Sequence, residues 1–261
     1  MTAIISDPAK LAQITTRGFA LIPGLLTATQ AAEMRSLLQS YVDEDLKKWA
    51  DRPDYPDRWM VHNLMFRGLP FARLLEHEVM HAYLSALLGD TCILYACTSS
   101  SLPPRGTNVS HRVHVDCPRV IPGYMTNVGV MFALDTFTPE NGATYFLPHS
   151  AERVTAPSEE EFLAHAERVF PDAGDAVIFN ARTWHMGGIN QTDQARHGFA
   201  FQACRSFMRH RFDYPKMIPQ DILAVLGETG RRFLGFNVRI PTSLDEYYLP
   251  ADQRLYKPNQ G

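Results

Sequence analysis

The sequence predicts a mainly β protein with flanking helices, built on a double-stranded β-helix, that is, a cupin-like jelly roll of two sheets. Three observations lead to this fold class. Short strand patterns rich in Val, Ile, Phe and Tyr fill the middle of the chain and are separated by Pro, Gly and Asn. Helical patterns come before and after them. The dipeptide Asn141-Gly142 indicates a tight turn between neighbouring strands.

The N-terminal third is predicted to be largely helical. Pro8, preceded by Ser6 and Asp7, is typical of a helix start. A short strand is expected within 18–26, and a threonine-capped amphipathic helix should then run to about Ser40. A charged stretch with two prolines at 51–63 is expected to be irregular, and one helix is predicted over 70–88.

The strand candidates of the predicted jelly roll follow in sequence. They are interrupted by a small helix near 158–168, and a helix and a Tyr- and Pro-rich tail follow from about 219. The candidates lie at 92–99, 109–116, 127–135, 143–148, 174–180 and 196–207. Without a linker or repeat, the whole of 1–261 is predicted to be one domain, with a helical part over 1–90, the core over 91–210 and a C-terminal part over 211–261.

Composition narrows the functional classes. Hydrophobic residues make up 45% of the chain and the formal net charge is −3, which allows a sizeable core and offers no basic field for nucleic acid. The four scattered cysteines are typical of free thiols. The N-terminus lacks a signal-peptide pattern and the chain lacks an apolar run long enough for a membrane span. We therefore expect a cytoplasmic protein without a nucleic-acid or membrane partner; the oligomeric state is left open.

The segment HRVHVDCP at 111–118 carries the main candidate for chemistry. In a strand, Val113 and Val115 would point to one face, and His114 and Asp116 to the other. Two imidazoles and one carboxylate are the ligand set of mononuclear non-haem iron oxygenases. His185, a few residues after the strand at 174–180, is the natural third ligand at the mouth of a barrel. The His-x-Asp spacing by itself, without His185, is equally typical of a strand face that is exposed to solvent.

Arg196 adds a second requirement of this chemistry. The cosubstrate 2-oxoglutarate chelates iron with its keto acid, and its distal carboxylate needs a fixed cation. Arginine suits that role because its planar fork matches a carboxylate. Arg196 opens the strand that follows His185, eleven residues further on. His114, Asp116, His185 and Arg196 together favour an enzyme that uses Fe(II), 2-oxoglutarate and O₂.

The chain resembles the phytanoyl-CoA dioxygenase family of Fe(II)/2-oxoglutarate oxygenases in three segments, HVD, PENGATYFLPHS and GDAVIFNARTWHMGGINQTDQAR. The segment beginning GFALIPGLL is similar to the family's opening segment. The resemblance implies His114, Asp116 and His185 as iron ligands, Arg196 as the 2-oxoglutarate anchor and Thr144 as a supporting hydroxyl. His149 departs from the family pattern. Related halogenases lack the carboxylate ligand, so Asp116 favours oxygenation.

The resemblance implies hydroxylation of an unactivated C–H bond of a small metabolite or natural-product intermediate, with 2-oxoglutarate and O₂ converted to succinate and CO₂. Desaturation, cyclisation and endoperoxidation use the same ligands and stay open. A non-catalytic jelly-roll module that binds a ligand, and a cupin-like metal enzyme without 2-oxoglutarate, are the competing functional classes.

The substrate itself is not identified by the sequence, but four candidate contacts are. Arg112 belongs to a group with Arg105 and Arg119 that could bind an anionic substrate or form a solvated rim. Tyr124 and Phe132 are pocket candidates by family position. Trp184, beside His185, could line the pocket or pack in the core.

Overall fold

An antiparallel sheet of five strands is the largest element in the computed structural model, which describes residues 6–52 and 57–254. Its strands lie in the spatial order β1, β6, β3, β8, β2. Their bounds are Phe19–Ile22 for β1, Ile93–Ser99 for β2, Asn127–Ala133 for β3, Ala176–Asn180 for β6 and Gly198–Cys204 for β8. Strand β1 is the short strand predicted within 18–26, and it pairs with β6 at the sheet edge.

A smaller sheet faces this main sheet. It contains β4 (Tyr145–Phe146), β5 (Glu167–Arg168) and β7 (His185–Met186), in the order β5, β4, β7. His114 pairs with His185 through an isolated bridge and so extends this minor sheet beyond β7. The predicted strand over 109–116 is therefore wrong as a regular strand, although its one paired residue lies where the prediction needs it. The two sheets confirm the jelly roll.

Side-chain alternation assigns each face of the main sheet to a different core. On β3, Val130 and Phe132 pack with the helices, whereas Met131 and Ala133 face the minor sheet. The other strands alternate in the same way, because successive side chains point to opposite faces. The functional site lies on the face turned toward the minor sheet.

The N-terminal helices cover the opposite face. They are α1 (Pro8–Arg17), α2 (Ala28–Lys48), α3 (Leu69–Arg73) and α4 (Glu78–Leu88). Asp7 caps α1, and Thr27 with Gln30 forms a capping box on α2, which satisfies backbone N–H groups that a helix start leaves free. The capping box is followed by a helix that continues past the predicted end at Ser40.

The single helix predicted over 70–88 is wrong. A short 3₁₀ turn, Leu74–Glu76, separates α3 from α4, and His77 between them is extended. The His77 imidazole accepts a hydrogen bond from the backbone N–H of Met80 at 3.2 Å, so it serves as the cap of α4. Histidine is an uncommon cap, which is why the continuous apolar pattern concealed the break.

The remaining helices are short. They are α5 (Glu159–His165), α6 (Tyr214–Met217), α7 (Gln220–Val225), α8 (Glu228–Phe233) and α9 (Leu244–Tyr247). The C-terminal helix predicted from about 219 is thus several short ones, and the tail beyond 254 lies outside the described residues. Within the described ranges, no helix has the length and apolar character that crossing a membrane requires.

Candidate metal centre

Backbone pairing brings the three predicted metal ligands together. The N–H of His114 donates to the carbonyl of His185 at 3.0 Å, and the N–H of His185 donates back at 2.9 Å. Residues directly opposite in an antiparallel pair project from the same face of the sheet. Asp116, two residues after His114, shares that face. The ligand atoms of the three side chains all lie within 4.8 Å of one another.

Both imidazoles are oriented with Nε2 toward the carboxylate. Nδ1 of His114 donates to the Arg112 carbonyl at 2.8 Å, and Nδ1 of His185 donates to the Thr183 carbonyl at 2.9 Å. The Nε2 atoms lie 3.6 Å and 3.7 Å from the two oxygens of Asp116. Hydrogen bonding at Nδ1 leaves the Nε2 lone pair available, which is the usual arrangement of a metal-binding histidine.

Burial favours the ligand form of His114. Desolvation, followed by repulsion from His185, lowers the pKa of His114 to about 4, while Asp116 acts in the opposite direction. His114 is therefore a neutral imidazole at neutral pH, and only the neutral ring can donate a lone pair. Two imidazoles and one carboxylate suit Fe(II), so the residues fit the metal that the sequence predicts.

Gln202 holds the carboxylate, a role that was not predicted from the sequence. Its Nε2 donates to Asp116 Oδ2 at 2.6 Å across the gap between the sheets. A signal was present in strand β8, where Phe199 and Phe201 enter the helical core and Ala200 and Gln202 take the other face. A polar side chain on an inward-facing position of an alternating strand marks a site.

Two aromatic rings form the apolar wall behind His185. Phe146 stacks on its ring with centroids 5.5 Å apart, and Phe179 approaches it edge-on at 5.2 Å. Phe179 lies opposite Gly129 on the neighbouring strand. A Cβ atom on Gly129 would come within 2.3 Å of the Phe179 ring, so the glycine provides the space that this ring occupies.

Arg196 is 2% exposed and lies beside the same site. Its guanidinium donates to the carbonyls of Ser100 at 3.1 Å and Gly142 at 3.2 Å, and it lies over the Phe137 ring at 4.1 Å. Its Nε has no hydrogen-bond partner among the described residues, and no described carboxylate forms an ion pair with it. Burial lowers the pKa of Arg196 to about 9, which reflects a charge without a close counter-ion. Asp135 opposes that shift.

The triad and Arg196 line one common space, here called the inner cavity, of about 130 Å³. Thr144, also predicted, lines it and is 6% exposed. Among the described residues, the hydrogen-bond partner of the Thr144 hydroxyl is the sulfur of Met131 at 3.9 Å, a weak acceptor, so the hydroxyl can donate to a bound carboxylate instead. The unpartnered Nε of Arg196 and this hydroxyl fit one end of a dicarboxylate cosubstrate.

A second space, here called the outer cavity, has a volume of about 330 Å³ and adjoins the inner one. The two share His114, Asp116 and Gln202 among their lining residues. Arg112, a predicted substrate contact, lines the outer cavity. Of its predicted companions, Arg105 forms an ion pair with Asp193.

Three other predicted substrate contacts lie away from the inner and outer cavities. Phe132 is fully buried on the helical face of β3 and stacks on Phe199. Trp184 precedes His185 in the chain and takes the opposite face, where it packs with Phe162. Tyr124 is 42% exposed in a loop with its ring against Arg205. The structure thus does not bring these three together with the triad.

Comparison with known proteins agrees with this architecture. A family model described as Phytanoyl-CoA dioxygenase (PhyH) matches residues 14–198. The uncharacterized protein Rv1501 of Mycobacterium tuberculosis is 33% identical over 207 residues, which cover 77% of this chain and 76% of that protein. The dioxygenase andF of Emericella variicolor is 26% identical over 225 residues, covering 76% and 75%.

Among solved structures, the non-haem α-ketoglutarate-dependent carbocyclase SnoK from nogalamycin biosynthesis has the same fold. The TM-score is 0.61 at 16% identity, with 78% of this chain and 86% of that chain covered. The chain is thus a jelly-roll oxygenase of the Fe(II)- and 2-oxoglutarate-dependent class, which uses O₂. It belongs to the phytanoyl-CoA dioxygenase family.

Proposed function

We propose that His114, Asp116 and His185 hold Fe(II), that Arg196 and Thr144 hold the distal carboxylate of 2-oxoglutarate, and that the enzyme hydroxylates an unactivated C–H bond of a small metabolite or natural-product intermediate. The observation that carries this proposal is the inner cavity. It joins three convergent ligand atoms to a buried guanidinium that has no described carboxylate partner.

The desolvated charge of Arg196 is the strongest support for the cosubstrate role. A buried charge is costly unless it is paired, and two carbonyl contacts only partly satisfy a guanidinium with five N–H groups. A carboxylate bound there would remove that penalty and would gain charge-assisted hydrogen bonds. Pairing of the buried Arg196 charge, which has no described carboxylate partner in the free protein, therefore contributes to the binding free energy of the cosubstrate.

The side chains around the triad prepare the site for oxidation. Bound Fe(II) and 2-oxoglutarate supply the redox chemistry, in which O₂ is consumed, one oxygen atom enters succinate as CO₂ leaves, and the other enters the substrate. Phe146 and Phe179 keep water from the His185 side, and Gln202 fixes the Asp116 carboxylate. Asp116 occupies the position that related halogenases leave open, which supports oxygen transfer.

The size of the outer cavity supports a small substrate. Its volume of about 330 Å³ lies near the lower end of the range for small-molecule sites, ~300–1,000 Å³. Because its lining includes His114 and Asp116, a molecule bound there contacts the metal side of the site. A compact metabolite is better suited to this space than a coenzyme A thioester.

An anaerobic titration tests the proposal. Fe(II) and 2-oxoglutarate are added to the wild-type protein, and the visible charge-transfer band of the chelated keto acid is recorded. His114→Ala should abolish the band, and Arg196→Leu should shift its half-saturation to higher 2-oxoglutarate. His165→Ala and Arg119→Leu, which change exposed residues outside both cavities, are the matched controls. A folded wild-type protein without the band, or an unchanged band in His114→Ala, would contradict the assignment.

A further inference from the structure

Two arginines line the outer cavity, and their side chains have no hydrogen-bond or ion-pair partner among the described residues. Arg112 lies just before the ligands His114 and Asp116, and Arg211 follows strand β8. Both residues are exposed, and neither guanidinium has a hydrogen bond or an ion pair with any residue in 6–52 or 57–254. Two positive charges from distant parts of the chain therefore face one cavity at the metal centre.

The acidic groups that line the outer cavity are already engaged. Asp57 Oδ2 lies 2.9 Å from Nε2 of His62, and Asp116 accepts from Gln202 and faces the two histidine ligands. Neither carboxylate forms an ion pair with Arg112 or Arg211.

Hydrogen bonds fix the main-chain positions of the two arginines. The carbonyl of Arg112 accepts from Nδ1 of His114 at 2.8 Å, so this arginine is tied directly to a proposed metal ligand. The N–H of Arg211 donates to the carbonyl of Tyr95 on β2 at 2.9 Å. The two guanidinium groups are therefore carried by two loops, one next to His114 and the other hydrogen-bonded to β2.

We infer that the substrate of this enzyme carries an oxyanion, a carboxylate or a phosphate, which Arg112 and Arg211 bind in the outer cavity while the carbon to be oxidised faces the triad. Guanidinium groups match both oxyanions in geometry, and an uncharged substrate would leave both cations unused. The inference rests on the proposed function, because it takes the outer cavity as the substrate space.

The test measures binding of small probes to the anaerobic complex with Fe(II) and 2-oxoglutarate. Phenylacetate and phenyl phosphate are the anionic probes, and phenylacetamide is the neutral counterpart of phenylacetate. Calorimetry should show at least one anionic probe binding about tenfold more tightly than phenylacetamide. Arg112→Gln and Arg211→Gln should each weaken that probe about tenfold, a modest factor because exposed ion pairs are screened by water. Comparison of the two anions identifies the preferred oxyanion.

Two matched variants separate local contacts from overall charge. Arg119→Gln and Arg209→Gln also remove one exposed positive charge each, close in sequence to Arg112 and Arg211, and neither residue lines the outer cavity. Both should leave probe affinity unchanged. The double variant Arg112→Glu, Arg211→Glu should reverse the preference, so that phenethylamine binds better than phenylacetate.

Equal binding of anionic and neutral probes would overturn the inference. So would equal effects of the site and control variants, or no binding of either anion to the wild-type complex at millimolar concentration. The charge-transfer band of 2-oxoglutarate distinguishes this failure from that of the proposed function. A retained band without anion selectivity removes only the substrate inference, whereas a missing wild-type band removes the proposed metal and cosubstrate sites as well.

Discussion

Replacement of Gln202 by methionine tests how the carboxylate ligand is held. The change keeps the length of the side chain but removes the amide that donates to Asp116 Oδ2 at 2.6 Å. A hydrogen bond to a charged acceptor is worth about 1.5–3 kcal/mol. The Asp116 side chain is 19% exposed, so water can replace part of this contact and the lower half of that range applies. We therefore expect Fe(II) affinity to fall about tenfold, at the lower end of the ~10–100-fold typical for groups that orient metal ligands.

Equilibrium dialysis against Fe(II) under anaerobic conditions measures this effect without turnover. Thr98→Val is the matched control, because Thr98 also lines both cavities and its hydroxyl contacts His62 rather than a proposed ligand. Thr98→Val should bind Fe(II) with the same affinity as the wild type. If Gln202→Met also bound Fe(II) within about twofold of the wild type, the contact to Asp116 would not position the ligand.

Three further predictions concern stability. Arg196→Leu should change the unfolding free energy of the metal-free protein by less than about 1 kcal/mol in a denaturant titration. The reason is that removal of a buried charge offsets the loss of the two hydrogen bonds to carbonyls. A large loss of stability would show that the arginine is structural. Gly129→Ala should cost about 1–3 kcal/mol, since its Cβ would meet the Phe179 ring at 2.3 Å, and an unchanged denaturation midpoint would refute that clash. Burial lowers the pKa of His81 to about 4 from 6.5, so acidification between these values protonates the unfolded chain first and lowers stability. His81→Asn should flatten this pH dependence in thermal unfolding curves, and an unaltered slope would exclude His81 as its source.

The convergence of the three proposed metal ligands could be predicted because its geometry depends on local rules. Val113 and Val115 pack against the cluster that contains Trp184 and Phe162, while the ligand atoms of His114 and Asp116 converge on the other side. His185 needed only a strand beside them. These relations need only one antiparallel pair, His114 with His185, so a single sequence contains enough information.

The substrate contacts depended on facts that alternation does not supply. Alternation separates Phe132 from Met131 but does not say which of the two faces the helices, because that depends on how the sheet is covered. Gln202 could have been found, because it is the polar side chain on the face of β8 opposite Phe199 and Phe201. Arg211 lies outside the regular strands, and its position at the outer cavity follows from a backbone contact to Tyr95 that no local pattern indicates.

The two sheets make different contributions to the site, and this division has a consequence for mutations. The minor sheet contributes His185 and its bridge partner His114, whereas one face of β8 contributes Gln202 and the segment leading into β8 contributes Arg196. The spacing between these groups is therefore set by the aromatic core between the sheets, where Phe146 stacks on Phe19 with centroids 4.9 Å apart. Because packed interiors transmit changes of even one methylene, substitutions in that core act on the distance between the proposed metal ligands and the proposed cosubstrate anchor. A conservative change there should thus alter cosubstrate affinity before it unfolds the protein.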